Sequence, residues 1–172
     1  MKIAVVGYSG SGKSTVARRL GEVYEAPVLH LDAIHWLPGW RERPAAEEQA
    51  MVSAYLDRHD RWVIDGNYRS LSYERRMEEA DRIVELLFPP LTALGRVLRR
   101  RHRYAGRSRP DMPDGCPEKV DGEFIRWVLW DGRSRKNRER YRRIRERYPD
   151  KTVCLRSQRQ IDRFFAEIGG KE

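Results

Sequence analysis

A glycine-rich segment near the amino terminus restricts the folds open to this chain more than any other feature. Residues 7–14 read GYSGSGKS and match the spacing GxxxxGK[ST]. The apolar run at residues 2–6 before it is typical of a buried strand, and Val16, Leu20 and Val23 after it recur at helical spacing. A strand, a tight turn and a helix in this order favour a parallel α/β sheet whose ligands bind at the carboxyl ends of the strands.

The same segment is suited to bind a chain of phosphates. Its glycines allow close approaches that a Cβ would block, so that successive N–H groups face phosphate oxygens. We expect Lys13 to reach the β- and γ-phosphates and the Ser14 hydroxyl to ligate Mg²⁺. An ordinary glycine-rich turn is the alternative, and the strand and helix at its flanks disfavour it. The predicted residues of the ATP or GTP site are Gly7, Ser9, Gly10, Ser11, Gly12, Lys13, Ser14 and Thr15.

Short apolar runs alternate with helical patterns along the rest of the chain. This alternation predicts a three-layer α/β fold with a mostly parallel five-stranded sheet. A length of 172 residues suits a single domain, 1–172. The predicted strands cover residues 2–6, 27–32, 62–65, 82–88 and 152–155.

Charge and cysteine usage narrow the possible environments and partners. The net charge is +9 with a pI near 9.9, which favours an anionic partner such as nucleotide phosphates, nucleic acid or an acidic surface. The charged fraction of 35% and a mean hydropathy of -0.80 disfavour a membrane protein. Cys116 and Cys154 lie far apart without CxxC spacing, so a reduced cytoplasmic location is expected.

Two carboxylates end predicted strands. Asp65 follows the apolar run at residues 62–64 and is the candidate for facing Mg²⁺ through water, with a simple turn-opening role as the alternative. Asp32 ends the second strand and is a candidate for orienting the acceptor, with a loop cap as the alternative. We expect the two side chains to converge near the γ-phosphate.

An arginine-rich stretch with few apolar residues, approximately residues 99–119, is predicted to be a mobile lid. Guanidinium groups bind phosphate oxygens in a bidentate way and can neutralise charge on a transferring phosphoryl group. The candidates for this role are Arg100, Arg133 and Arg138, and a solvated basic helix face is the alternative for each one. Aromatic side chains that could stack on the acceptor, or shield a core edge instead, are Trp36, Trp40, Tyr68 and Tyr73.

With these residues in place, the chain resembles the P-loop kinases of the adenylate-kinase-like group, and more closely the bacterial DNA topology modulation proteins. The resemblance covers nearly the whole chain and implies an adenylate-kinase-like P-loop NTPase fold that binds ATP and Mg²⁺. It is carried by GYSGSGKST at 7–15, VLHLD at 28–32, Pro38-Gly39-Trp40, WVIDGNY at 62–68, RPDMPDGCPEK at 109–119 and FIRWVLW at 124–130.

The resemblance also bears on the acceptor. Adenylate kinases carry an arginine shortly after an Asp-Gly pair, and the similar segment 65–69 implies that Arg69 grips an acceptor phosphate. The proline of that motif is absent, and residues 133–138 lack the acidic pair of an adenylate kinase lid, so AMP is disfavoured as the acceptor. The sequence therefore predicts a kinase for a nucleotide or other small molecule. The alternatives are an ATP-gated nucleic-acid-binding protein and a polynucleotide-end kinase.

Overall fold

The computed structural model describes residues 1–170, and a five-stranded sheet forms their centre. The strand order is β2-β5-β1-β6-β7, and every pair of neighbours is parallel. This arrangement confirms the predicted fold class. The five strands are β1 (Lys2–Gly7), β2 (Val28–His30), β5 (Trp62–Asp65), β6 (Arg82–Leu86) and β7 (Thr152–Leu155), and a separate antiparallel hairpin contains β3 (Trp36–Leu37) and β4 (Arg41–Glu42).

Eight α-helices lie within the described residues, and none of them is long and apolar enough to cross a membrane. Short 3-10 helices cover Asp131–Arg133 and Pro149–Lys151. The α-helices are α1 (Lys13–Val23), α2 (Leu31–His35), α3 (Ala45–Arg58), α4 (Tyr73–Glu79), α5 (Pro90–Arg103), α6 (Gly122–Leu129), α7 (Arg135–Arg147) and α8 (Gln158–Gly169).

The sheet is covered on both faces because its strands are apolar on both sides. In β1, Ile3 and Val5 pack with α1 and α8, whereas Ala4 and Val6 pack with α3, α4 and α7. Successive strand residues point to opposite faces, so one short strand contributes to both cores. The carboxyl ends of β1, β5 and β6 are thereby held at one edge, where β1 continues into the glycine-rich loop.

The second predicted strand is shorter than expected. Leu31 already belongs to α2, so Asp32 lies in the first turn of a helix rather than at a strand end. Leu31 is fully buried, and a Cβ on Gly66 would lie 2.7 Å from its Cβ, so the chain turns where glycine leaves room. An apolar run this short does not distinguish a strand from a buried helix by its pattern. Residues 33–43, which lie outside the predicted strands, contain the end of α2 and the β3–β4 hairpin.

The arginine-rich segment is more ordered than predicted. Helix α5 extends to Arg103, and the irregular part begins only after it. The expectation of too few apolar residues to pack was wrong, because Met112, Cys116 and Val120 are buried. The segment also contacts the β3–β4 hairpin: the Gly39 amide donates to the Gly115 carbonyl at 2.9 Å. Its mobility stays a prediction.

Candidate nucleotide and acceptor site

The glycine-rich loop between β1 and α1 is closely packed against its neighbours. A Cβ on Gly7 would lie 2.2 Å from the Leu86 carbonyl oxygen, and a Cβ on Gly10 would lie 2.7 Å from the Ala93 carbonyl oxygen. Both glycines have positive φ angles, +143° and +75°. Because the obstructing atoms belong to backbone, no side chain can be accommodated at either position.

Hydrogen bonds within the glycine-rich loop and from Asn67 fix the conformation of the loop. The Ser11 hydroxyl donates to the Tyr8 carbonyl at 2.6 Å, and Lys13 Nζ donates to the same oxygen at 3.2 Å. Asn67, which follows β5, accepts from the Gly7 amide at 3.0 Å and donates to the Gly7 carbonyl at 2.7 Å. Sequence reasoning missed this pair of hydrogen bonds, although Asn67 belongs to the WVIDGNY segment. A side-chain amide can both donate and accept, so one residue binds both backbone groups of Gly7.

Asp65 lies at the carboxyl end of β5, beside Val5 of β1 in strand register. Its side chain is nearly buried, and Oδ2 lies 3.1 Å from His30 Nδ1. The other oxygen, Oδ1, is buried and has no hydrogen-bond partner within residues 1–170. A buried carboxylate oxygen without a partner is costly unless a ligand occupies the space beside it. The contact from His30 holds Oδ2 of Asp65 in place and leaves Oδ1 towards the ligand side.

Asp111 is a site residue that sequence reasoning missed. It lies in the irregular segment after α5, is 6% exposed, and lines the same cavity as the loop. Burial raises the pKa of Asp111, but the charge of Arg109 and a hydrogen bond from Ser14 outweigh burial, and the pKa lies below its ordinary value. Asp111 is therefore ionised at neutral pH next to the predicted Mg²⁺ ligand Ser14. The available signal was the acidic character of RPDMPDG within a basic segment.

Two arginines of this segment, Arg100 and Arg109, are paired with carboxylates. Arg100 Nε lies 2.7 Å from one oxygen of Glu118, and Arg109 Nε lies 2.8 Å from the other. Arg109 also donates to Asp111 at 2.9 Å. The Glu118 side chain is only 2% exposed. Arg100 was predicted to act on phosphate, and here it lines the cavity while bound to a buried carboxylate.

A cavity of about 1470 Å³ joins the loop to a group of aromatic side chains. Asp32 accepts from the Tyr68 hydroxyl at 2.9 Å, and Trp36 and Trp40 lie nearby in an edge-to-face pair with centroids 5.4 Å apart. We call these four residues, Asp32, Trp36, Trp40 and Tyr68, the acceptor wall. All of them line the cavity, whereas Tyr73 is buried in the core and does not. Burial and the Asp32 charge raise the pKa of Tyr68, so its hydroxyl stays protonated.

Three arginines from the sequence prediction occupy different surroundings. Arg69 is exposed and does not line the cavity. Arg138 is exposed and lines a separate cavity of about 260 Å³. Arg133 lies 4.1 Å above the Tyr8 ring and donates to the Phe88 carbonyl at 2.8 Å, so it braces the loop from behind. Their action on phosphate groups stays a prediction.

Arg140 of α7 is a cavity-lining arginine that the sequence analysis did not select. It donates to the Tyr141 hydroxyl at 3.1 Å, and its buried Nε has no partner within residues 1–170. A guanidinium that contacts only a neutral hydroxyl keeps its charge available for an anion. Across the same described residues, no cluster of three or more His, Cys, Asp or Glu side chains is arranged to hold a metal ion. A metal here would depend on phosphate oxygens and water as well as on Ser14 and the carboxylates.

Comparison with known proteins identifies the fold. No family model matches the chain, and no curated protein matches it. A gluconokinase from Sinorhizobium meliloti 1021 superposes with a TM-score of 0.51 at 19% identity, covering 97% of this chain and 88% of that chain. TT1252 from Thermus thermophilus gives a TM-score of 0.55 at 16% identity, with 99% and 97% covered. An uncharacterized protein from Eubacterium ventriosum ATCC 27560 gives 0.53 at 17% identity, with 99% and 100% covered.

At these identities the likeness establishes the fold, which this chain shares with the gluconokinase, and leaves the activity and the substrate open. The resemblance to DNA topology modulation proteins stays a prediction.

Proposed function

We propose that this protein is a Mg·ATP-dependent kinase that transfers the γ-phosphoryl group to a nucleotide or another small molecule. The observation that carries the proposal is the continuity of one cavity from the phosphate-binding loop to Asp32, Asp65 and Asp111. Phosphoryl transfer needs a cradle for the phosphates, carboxylates near the metal position and a second compartment for an acceptor. All three features line this single space.

The loop provides the phosphate contacts in this proposal. Amides of residues 9–15 face the β- and γ-phosphates, and Lys13 exchanges the Tyr8 carbonyl for a phosphate oxygen when ATP binds. Ser14, Asp65 and Asp111 fit Mg²⁺, because an oxygen of Asp65 is buried without a partner and Asp111 is ionised beside the Ser14 hydroxyl. Bound Mg²⁺ would neutralise charge on the phosphates. Arg140 is suited to bind the transferring group from the opposite side.

Acceptor-dependent ADP formation tests the proposal. The protein is incubated with Mg·ATP and a panel of nucleosides, nucleotides and small alcohols, and ADP is measured against an acceptor-free control. Lys13→Ala should abolish the transfer, because the loop loses its ammonium group. Lys136→Ala is a matched control, since Lys136 is exposed and does not line the cavity. ADP formation that no acceptor accelerates over water contradicts the proposal.

A second candidate function is ATP-gated binding of nucleic acid or phosphorylation of a polynucleotide end. It is favoured by exposed arginines, of which Arg99 and Arg103 line the cavity, and by two exposed indoles, Trp127 at 46% and Trp130 at 65%. Exposed aromatic rings beside basic residues are suited to stack unpaired bases. The exposed arginines are Arg99, Arg101, Arg103 and Arg107. An electrophoretic shift with single-stranded DNA or RNA at low salt tests binding, and 5′-hydroxyl oligonucleotides in the acceptor panel test phosphorylation.

A further inference from the structure

The charge of the acceptor compartment constrains the acceptor. The acceptor wall contributes one carboxylate, Asp32, and no basic side chain. Asp65 and Asp111 line the same cavity. Mg²⁺ on Asp65 and Asp111 would leave Asp32 as the negative charge nearest to the aromatic groups. The four wall residues therefore present a neutral or negative surface to an acceptor.

Cations near this compartment are occupied by protein groups. Arg109 and Arg100 share the buried carboxylate of Glu118, and Arg109 also holds Asp111. Arg76, which is fully buried beneath Tyr68, donates to the Tyr68 carbonyl at 2.7 Å and to two further carbonyls. Arg43 donates to the Ile34 carbonyl at 2.7 Å and pairs with Glu47.

Further cations line the cavity from other elements, and none of them makes a hydrogen bond, an ion pair or a cation–π contact with the acceptor wall within residues 1–170. They are Arg18, Arg19, Arg96, Arg99, Arg103, Lys119 and Arg156. Arg69, the arginine that the sequence suggested for this purpose, is exposed outside the cavity. Arg140 lines the cavity from α7, in contact with Tyr141, which itself packs edge-to-face on Tyr8 of the loop. Its position suits the transferring phosphoryl group beside the loop rather than a group held against Trp36 and Trp40.

A phosphate acceptor and a hydroxyl acceptor make different demands on such a wall. A phosphate oxygen is already anionic, needs no base and is repelled by a carboxylate. A hydroxyl must lose its proton as the new bond forms, and a carboxylate within hydrogen-bonding reach can orient it and accept that proton. Asp32 is held in place by the Tyr68 hydroxyl, whose raised pKa keeps it a donor.

We infer that the acceptor is an uncharged small molecule that presents a hydroxyl group, not a phosphorylated compound. The inference rests on the proposed kinase function. The hydroxyl oxygen bonds to the γ-phosphorus, the bond from that phosphorus to the β,γ-bridging oxygen breaks, ADP leaves, and the hydroxyl proton passes to Asp32. Trp36 and Trp40 contribute apolar surface for the body of the acceptor.

Matched pairs of acceptors test the inference directly in the wild-type protein. Each pair contains a neutral compound and its monophosphate: a nucleoside with its 5′-monophosphate, and a polyol with its phosphate ester. The neutral member should have a kcat/KM at least about 100-fold higher, because placing like charges together costs several kcal/mol. The two pairs also separate ring-bearing from open-chain acceptors.

Monophosphates that are equal or better substrates would leave the kinase proposal standing and refute the neutral-acceptor inference alone. If no member of any pair accelerates ADP release while Mg·ATP still binds by calorimetry, the kinase proposal itself is refuted, and the inference falls with it.

Glu118→Gln gives a second readout. Loss of the shared carboxylate releases Arg100 and Arg109, so the kcat/KM of the phosphorylated members should rise at least about tenfold relative to their neutral partners. Glu123→Gln is the matched control, because Glu123 is exposed on α6 and does not line the cavity. An unchanged ratio in a folded Glu118→Gln protein would show that these arginines do not set the charge of the compartment.

Asp32→Asn separates orientation from proton transfer. It keeps the size of the side chain and its hydrogen bond with Tyr68, so KM for the neutral acceptor should change by less than about threefold while kcat falls about 100-fold. A kcat within about threefold of wild type would rule out proton acceptance by Asp32.

Discussion

Removal of the Asn67 side-chain amide tests whether the loop must be pre-formed for nucleotide binding. Asn67→Ala deletes two hydrogen bonds to Gly7, of 3.0 and 2.7 Å, which tie the loop to the end of β5. The backbone groups left behind belong to the buried Gly7, so water can satisfy them only in part. The first residue of the loop then loses its fixed orientation.

The size of the effect follows from these two bonds. A neutral hydrogen bond contributes about 1 kcal/mol to stability, and a backbone group left unsatisfied adds to the loss, so Asn67→Ala should cost about 2–3 kcal/mol. In the Asn67→Ala protein, ATP binds only to molecules in which the loop is ordered, and ordering the loop costs free energy. Part of the cost therefore appears as weaker binding, and we expect the Kd for Mg·ATP to rise by about 10- to 100-fold.

Calorimetry with Mg·ATP and thermal unfolding measure the two quantities. Gln49→Ala is the control. The Gln49 amide makes three bonds, donating to the Ser72 hydroxyl at 2.9 Å and the Ser53 hydroxyl at 3.3 Å and accepting from the Ser72 amide at 3.1 Å, but Gln49 does not line the cavity. Both variants should unfold at lower temperature, whereas only Asn67→Ala should lose affinity. An Asn67→Ala protein that is destabilised like the control but binds ATP within about twofold of wild type would refute the reasoning.

Three further predictions concern single side chains. Gly10→Ala places a Cβ 2.7 Å from the Ala93 carbonyl oxygen at a φ of +75°, so the Kd for ATP should rise at least about tenfold. Calorimetry measures this Kd, and an unchanged value would contradict the role of this close contact. Asp111→Asn keeps the side-chain volume but removes a negative charge beside Ser14, so the Mg²⁺ concentration needed for half-maximal transfer should rise about tenfold. An unchanged Mg²⁺ concentration at half-maximal transfer would exclude Asp111 from the metal site. Burial raises the pKa of Glu85 to about 7 although Arg145 opposes the shift, so the folded protein holds this proton more tightly than the unfolded chain. The free energy of unfolding should then fall by about 3 kcal/mol as pH rises from about 4.5 to 7, and Glu85→Gln should remove that fall. Parallel pH–stability curves for the wild type and the variant would contradict this prediction.

Sequence reasoning succeeded where one local pattern has one structural outcome. The loop at residues 7–14 is anchored by Gly7 and Gly10, where a Cβ would overlap backbone atoms. Strand β5 also ends at Asp65 as expected, because a run of apolar residues followed by Asp-Gly leaves little freedom for the boundary. Predictions of this kind depend on residues adjacent in sequence.

Contacts between distant segments could not be predicted in this way. Asn67 binds a backbone group 60 positions away, and the partners of Arg100 depend on how the segment after α5 folds back. Composition suggested that this segment brings positive charge to the phosphates. Three-dimensional packing instead pairs Arg100 and Arg109 with Glu118 and brings Asp111 to Ser14. The other arginines of the segment, Arg99, Arg101, Arg103 and Arg107, stay exposed.

The segment after α5 therefore connects both halves of the cavity. Asp111 reaches Ser14 on the phosphate side, whereas five residues later Cys116 donates to the Leu37 carbonyl in the β3–β4 hairpin, at 3.3 Å. The hairpin begins with Trp36, a member of the acceptor wall. Because one short stretch of chain contacts both parts of the cavity, a movement of this stretch away from the β3–β4 hairpin also withdraws Asp111 from Ser14. In the proposed kinase, this coupling favours transfer only when nucleotide and acceptor are both enclosed, and it limits loss of the phosphoryl group to water.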